Sequence, residues 1–219
     1  FTHEGFDLSY IDEGEGDPVL LIHGFASSIK VNWIGPGWVR TLTEAGYRVV
    51  AIDNRGHGNS SKSYDPEDYR PSRMAADAAA FFDYLAGRAD VIGDRFGITG
   101  YCMGGRTSLL VAGKVPERVA AAMSFHGGGL VADDADSPHL LAGAMKATVY
   151  VGGAHDDASF TAEHADTLDR ALTAAGVEHT IEFYQAAHGF AVPDNAPYDA
   201  QAAERHWAAM ARVFGDTLG

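Results

Sequence analysis

The sequence predicts an α/β fold, a mostly parallel sheet covered by helices on both faces, in a single unit over residues 1–219. Three observations predict it. Short apolar runs alternate with longer helical stretches along the whole chain. Runs such as Val19-Leu20-Leu21-Ile22 are apolar throughout rather than at every second position, as expected of strands buried on both faces. Chemistry-bearing residues follow the ends of these runs, where an open parallel sheet collects its reactive groups.

Phe6-Asp7-Leu8-Ser9-Tyr10-Ile11 alternates and meets a turn at Glu13 to Pro18, which makes it a first strand or hairpin arm. Val19 to Ile22 is the next strand, with His23-Gly24-Phe25 at its end. Trp38 to Ala45 reads as a helix stopped by Gly46. Tyr47 to Ile52 is a strand leading into Asp53-Asn54-Arg55-Gly56-His57-Gly58. After a polar loop to about Pro71, a helix rich in Ala and Phe covers Ser72 to Ala86. Arg95 to Thr99 is a strand running into Gly100-Tyr101-Cys102-Met103-Gly104-Gly105, and a helix follows. Pro116 breaks the chain before the strand Val119 to Phe125, which ends in His126-Gly127-Gly128-Gly129. Thr148 to Gly152 is a strand with Asp157 and Ser159 just beyond, and Thr161 to Ala175 is an amphipathic helix stopped by Gly176. His179 to Tyr184 is the last strand, followed by His188-Gly189-Phe190 and a terminal helix over Ala200 to Phe214. The connection after Phe125 is short, so no lid domain is expected and the site should be open.

Composition narrows the function classes. A chain of 219 residues builds one substantial core, and two full domains would be cramped. The net charge of −14 argues against nucleic acid or an anionic membrane as partner, although a local arginine still allows a small anionic substrate. The single cysteine excludes an internal disulfide and fits a cytoplasmic location. No apolar run approaches the roughly 20 residues that span a bilayer. No stretch reads as a secretory leader, and the chain opens on Phe1, so its native start is expected to lie upstream. Oligomeric state is left open.

The segment Gly100-Tyr101-Cys102-Met103-Gly104, between strand and helix, has the form of a nucleophile elbow with cysteine as nucleophile. Such a turn strains the nucleophile's backbone, so the residues two positions away on either side must lack bulk, and Gly100 and Gly104 meet that need. The bland alternative is a small buried cysteine in an ordinary glycine-rich turn. Against it stands the chain order of nucleophile, acid and histidine: Cys102, Asp157 and His188, each at the end of a strand. A thiol is only a few per cent thiolate at neutral pH, so it needs a histidine to take its proton. The histidine needs a carboxylate to fix its tautomer. Asp156 competes with Asp157 for that role, and Asp157 also reads as a cap for the helix that opens at Thr161; Asp157 is preferred. An oxyanion hole is expected from the backbone amides of Met103 and Phe25. Arg55 and His57 are expected to brace loops rather than touch substrate. His155 is expected to be a bystander, and neither cofactor nor metal is required.

The elbow, with Asp157-Ala158-Ser159-Phe160 and His188-Gly189-Phe190-Ala191-Val192-Pro193-Asp194, resembles the dienelactone hydrolase family of α/β-hydrolases from about Ala80 to the C-terminus. His23-Gly24-Phe25 and Asp53 to Ser60 resemble instead the serine-esterase, haloperoxidase-like and epoxide-hydrolase-like members of that superfamily. The chain thus reads as a mosaic with a join near Ala76–Phe82, natural or engineered. The resemblance implies an α/β-hydrolase fold and a hydrolase of small esters or lactones working through an acyl-cysteine. It also implies two departures. Dienelactone hydrolases carry a glutamate where His23-Gly24-Phe25 stands, and Val192 stands where an arginine that holds a substrate carboxylate is expected. Weak activity is therefore expected, with a catalytically silent scaffold as the alternative.

Overall fold

The computed structural model describes residues 1–218. Two short strands, β1 (Thr2–His3) and β2 (Phe6–Asp7), form a hairpin of their own. The main sheet has seven strands: β3 (Tyr10–Glu13), β4 (Pro18–Ile22), β5 (Arg48–Ile52), β6 (Phe96–Tyr101), β7 (Val119–Phe125), β8 (Thr148–Asp156) and β9 (His179–Ala187). Their spatial order is β3-β5-β4-β6-β7-β8-β9. Only β3 is antiparallel to its neighbour; every other pair is parallel. The order turns back at β4, whose neighbours are β5 and β6, and it is at such a reversal that the carboxyl ends of strands open a crevice.

Five helices cover the two faces: α1 (Trp38–Glu44), α2 (Pro71–Ala86), α3 (Met103–Lys114), α4 (Ala162–Ala175) and α5 (Ala200–Leu218). The apolar runs of the strands supply both sides. On one face Leu20, Ile22, Val50 and Ile52 pack with Phe81, Phe82, Leu109, Leu110, Leu168 and Leu172 from α2, α3 and α4. On the other Val19, Leu21, Val49 and Ala51 pack with Trp38, Leu42, Met210 and Phe214 from α1 and α5. Each strand residue is buried whichever way it points, which is why these runs lack polar alternation.

The expected elements form, with three differences. The first predicted strand is split, because Leu8 and Ser9 leave the ladder between β2 and β3. β8 and β9 run further than propensity suggests, to Asp156 and Ala187, because each completes the other's ladder as far as Asp156–Ala187, past an irregularity near Ala154. A π-helical turn over Lys30–Ile34, absent from the periodicity, carries Asn32 and Trp33 inward. Between β7 and β8 stands one 3₁₀ segment, Pro138–Ala144, rather than an inserted domain. Among the described residues no helix is long and apolar enough to cross a membrane.

Candidate active site

The elbow closes as its glycines require. Cys102 caps the N-terminus of α3 with φ 52° and ψ −116°, a left-handed conformation that costs energy for any side-chain-bearing residue. Its amide donates to the carbonyl of Phe125 at 3.1 Å, tying the turn to the end of β7. A Cβ on Gly104 would stand 2.1 Å from the carbonyl oxygen of Ile22, and one on Gly100 would stand 2.3 Å from the backbone of Gly104. Any larger residue would push the turn off β4.

The three predicted side chains meet above the carboxyl ends of β6, β8 and β9. His188 Nδ1 lies 2.6 Å from Asp157 Oδ2, and the ring lines the same cavity as Cys102. Asp157 is nearly buried at its side chain, and its second oxygen accepts the amide of Ser159 at 2.8 Å and its hydroxyl at 2.6 Å. Asp156 points to solvent beside His155, which is itself exposed. The helix cap at α4 is Thr161 in a reciprocal box with His164, so Asp157 is not its cap.

Electrostatics divide the pair. Burial pushes the Cys102 thiol up, but the hydrogen bond and charge of His188, with the amides of Met103 and Phe25, outweigh it and hold the thiol below its ordinary value. His188 is raised to about 9, first by its hydrogen bond to Cys102 and, against the cost of burial, by its bond to Asp157. The two shifts have opposite signs, thiol down and imidazole up, so each group favours the charged form of the other.

The loop bearing Phe25 is braced from below. His23 is buried, donates from Nδ1 to the carbonyl of Gly24 at 2.7 Å, and accepts the Asn54 amide on Nε2 at 3.0 Å. Desolvation lowers it to about 4, so it is a neutral strut. Asn32, from the π-turn, accepts the amide of Gly24 at 2.9 Å. The Asp53 carboxylate accepts the amides of Ile29 and Asn59 at 2.8 and 2.9 Å. Arg55 is buried in a two-pronged pair with Asp77 of α2, both contacts 2.6 Å, and His57 lies edge-on to Phe25. Both act on neighbouring loops.

A cavity of about 310 Å³ opens onto Cys102 and His188, walled by Phe25, Val31, Tyr101, His126, Val192 and Asn195 among others. A larger hollow of about 660 Å³ beside the Asp157 turn contains neither Cys102 nor His188. His126, Asn32 and Val31 were not singled out by sequence. His126 is buried, at φ 38°, with no protein group bonding either ring nitrogen, and its ring lies 5.3 Å from that of His188. Burial, together with His188 and His206 nearby, drives its pKa far down, so it is neutral. A His directly after a buried strand was the only available signal. Among the described residues no cluster of three or more His, Cys, Asp or Glu is placed to hold a metal.

Comparison with known proteins places the chain among α/β-hydrolases. One relative, a Synechocystis protein provisionally named as a carboxymethylenebutenolidase, is 26% identical over 200 residues, covering 82% of this chain and 80% of its own. Another, the non-heme chloroperoxidase CPO-A1 of Kitasatospora aureofaciens, is 37% identical over 71 residues, covering 31% of this chain and 24% of its own. This chain thus spans only about a quarter of the length of the first curated relatives it matches. In fold, a protein of Klebsiella pneumoniae subsp. pneumoniae MGH 78578, provisionally described as a dienelactone hydrolase, superposes with a TM-score of 0.78 at 23% identity, over 97% of this chain and 93% of that one. The sequence model of the dienelactone hydrolase family matches residues 39–218 without a break at 76–82, and the Synechocystis alignment also covers too much of the chain to avoid that stretch. With its nucleophile elbow, acid turn and histidine loop on a mostly parallel sheet, the chain belongs to the dienelactone hydrolase family of α/β-hydrolases.

Proposed function

We propose that this chain, acting as one hydrolase unit, cleaves small esters or lactones through Cys102, His188 and Asp157. The observation that carries the reading is the Asp157 Oδ2–His188 Nδ1 contact at 2.6 Å, with His188 and Cys102 facing one cavity. The Cys102 thiolate attacks the ester carbonyl carbon, and the carbonyl electron pair moves onto oxygen. That oxyanion takes hydrogen bonds from the amides of Phe25 and Met103, which already approach the sulfur. Collapse breaks the bond to the alkoxide, which leaves with the Nε2 proton of His188. The acyl-cysteine is then attacked by water, whose proton goes to His188, and the acid departs as the thiolate re-forms. Asp157 holds His188 with Nδ1 as donor throughout.

Without the family glutamate, activation falls to His188 and two amides, which is the basis for expecting modest turnover. The silent-scaffold alternative requires a misaligned triad and draws no support from these contacts. The test is p-nitrophenyl acetate turnover by the parent and by Cys102→Ala. Loss of turnover in the variant supports the reading, and equal turnover removes Cys102 from the mechanism.

A further inference from the structure

The charges around this cavity are arranged against an anionic substrate. Arg106, at the start of α3, is the cation nearest in sequence to the nucleophile. Its guanidinium turns away, with one nitrogen on both oxygens of Asp134 at 2.9 and 3.0 Å and on the Asp136 carbonyl at 3.1 Å. Arg205 is engaged by Glu182 and stacks over Tyr184. Among the described residues lining the cavity none is Lys, Arg, Asp or Glu. Its two histidines are His188, already paired with Asp157, and the neutral His126. The chain as a whole carries −14.

The walls are apolar instead. Phe25 keeps 74% of its surface exposed and Val31 keeps 37%, and both face the same cavity as Cys102. An exposed phenylalanine alone carries no meaning. Here it sits on the residue whose amide reaches the nucleophile, so an acyl or alkyl group bound at Cys102 covers it. A cavity of about 310 Å³ lies at the small end of ligand sites, which limits the group it encloses. A carboxylate brought into the same space would lose water and gain no cation beyond His188, whose charge Asp157 already meets.

We propose that this site takes uncharged esters or lactones whose apolar group rests on Phe25 and Val31, and rejects esters that carry a carboxylate. The inference rests on the Cys102 reading above and names its substrate class. The test compares p-nitrophenyl hexanoate with mono-p-nitrophenyl adipate, which has the same acyl length but ends in a carboxylate. The parent is expected to prefer the hexanoate on the order of a hundredfold in kcat/KM. The preference should persist at high salt, where the global field is screened. Val31→Arg, which places a cation on the wall, is expected to cut the preference at least about tenfold. Comparable rates for the two esters, or an unchanged ratio in Val31→Arg, overturn the proposal. A readout without turnover is protection of Cys102 from iodoacetamide. Methyl hexyl ketone should protect and the keto acid of the same length should not; equal protection by both overturns the proposal as well. Cys102→Ala keeps the two questions apart: if it retains the parent's rates, the nucleophile assignment fails, whereas the protection experiment still decides the specificity.

Discussion

Removing the Cys102 thiol should change the titration of His188. The imidazole is raised from its ordinary value of 6.5 to about 9, and the largest cause is its interaction with Cys102. A shift of that size corresponds to about 3 kcal/mol between protonation states. The ring is 37% exposed, so solvent screening reduces this to about 1–2 kcal/mol. By reciprocity the part of the shift that Cys102 contributes to His188 also lowers the thiol, and the pair must be counted once. Cys102→Ala deletes the first-named cause and leaves Asp157. His188 is therefore expected to titrate lower in the variant by about half a unit to one unit, read from its ring proton by NMR. The sign for stability follows. A raised histidine stabilises the folded chain fully below about pH 6.5, and that contribution is lost as pH rises through about 9. The lowered thiol contributes above its unfolded value, and that contribution is lost as pH falls through its folded one. In activity, kcat/KM should rise with thiolate formation and fall again as His188 loses its proton near 9. An identical His188 titration in parent and variant would refute the thiolate–imidazolium pair.

Three further outcomes are expected. Asp157→Asn should lower kcat/KM roughly a hundredfold to ten-thousandfold, because the amide no longer stabilises the imidazolium, while Asp156→Asn should stay within about twofold; steady-state kinetics on both variants decide between the two carboxylates. Gly104→Ala places a Cβ 2.1 Å from the Ile22 oxygen and 2.8 Å from that of His23, both backbone atoms that cannot rotate aside. It should cost about 2–4 kcal/mol and several degrees of Tm, and a variant as stable as the parent would show that the elbow is looser than described. Asp77→Ala leaves Arg55 buried with only Glu4 and the Asp68 carbonyl as partners. Urea unfolding should register a loss of about 3 kcal/mol.

What was legible in the sequence, and what was not, divides along physical lines. Strands β4, β5 and β7 announced themselves because burial on both faces leaves only apolar residues. Cys102 was legible because the elbow's sterics need Gly100 and Gly104 at fixed offsets. His188 was legible from its place after the last strand. The choice between Asp157 and Asp156 was not, since both follow the same strand and only the direction of the chain at its end separates a buried carboxylate from a solvated one. The π-turn over Lys30–Ile34 was equally hidden, because its residues show neither helical nor strand periodicity. Yet it delivers Asn32 to Gly24 and Val31 to the cavity wall. His126 had no signal beyond its position, because an unpartnered buried nitrogen is a property of surroundings assembled from β6, α5 and the histidine loop.

The stretch at 76–82 is tied by packing to residues on both sides of it. Residues 76–82 lie inside α2, and their side chains reach to both sides of the supposed join. Asp77 bonds Arg55 and His3, Phe81 packs against Phe1 and Tyr10, and Phe82 stacks on Phe96 at 4.8 Å. The elbow makes the same argument at the site itself. Gly104 is required by a carbonyl of β4, and the oxyanion loop that begins one residue later, at His23, is held by the Asp53–Asn54 turn that follows β5. Two unrelated halves would have to agree on each of these contacts at once. A His23-Gly24-Phe25 loop on a cysteine elbow is therefore read as one co-adapted site. In it a neutral histidine strut and an exposed apolar side chain share one short segment, so the proposed activation of Cys102 and the proposed substrate class are tested by changes at the same place.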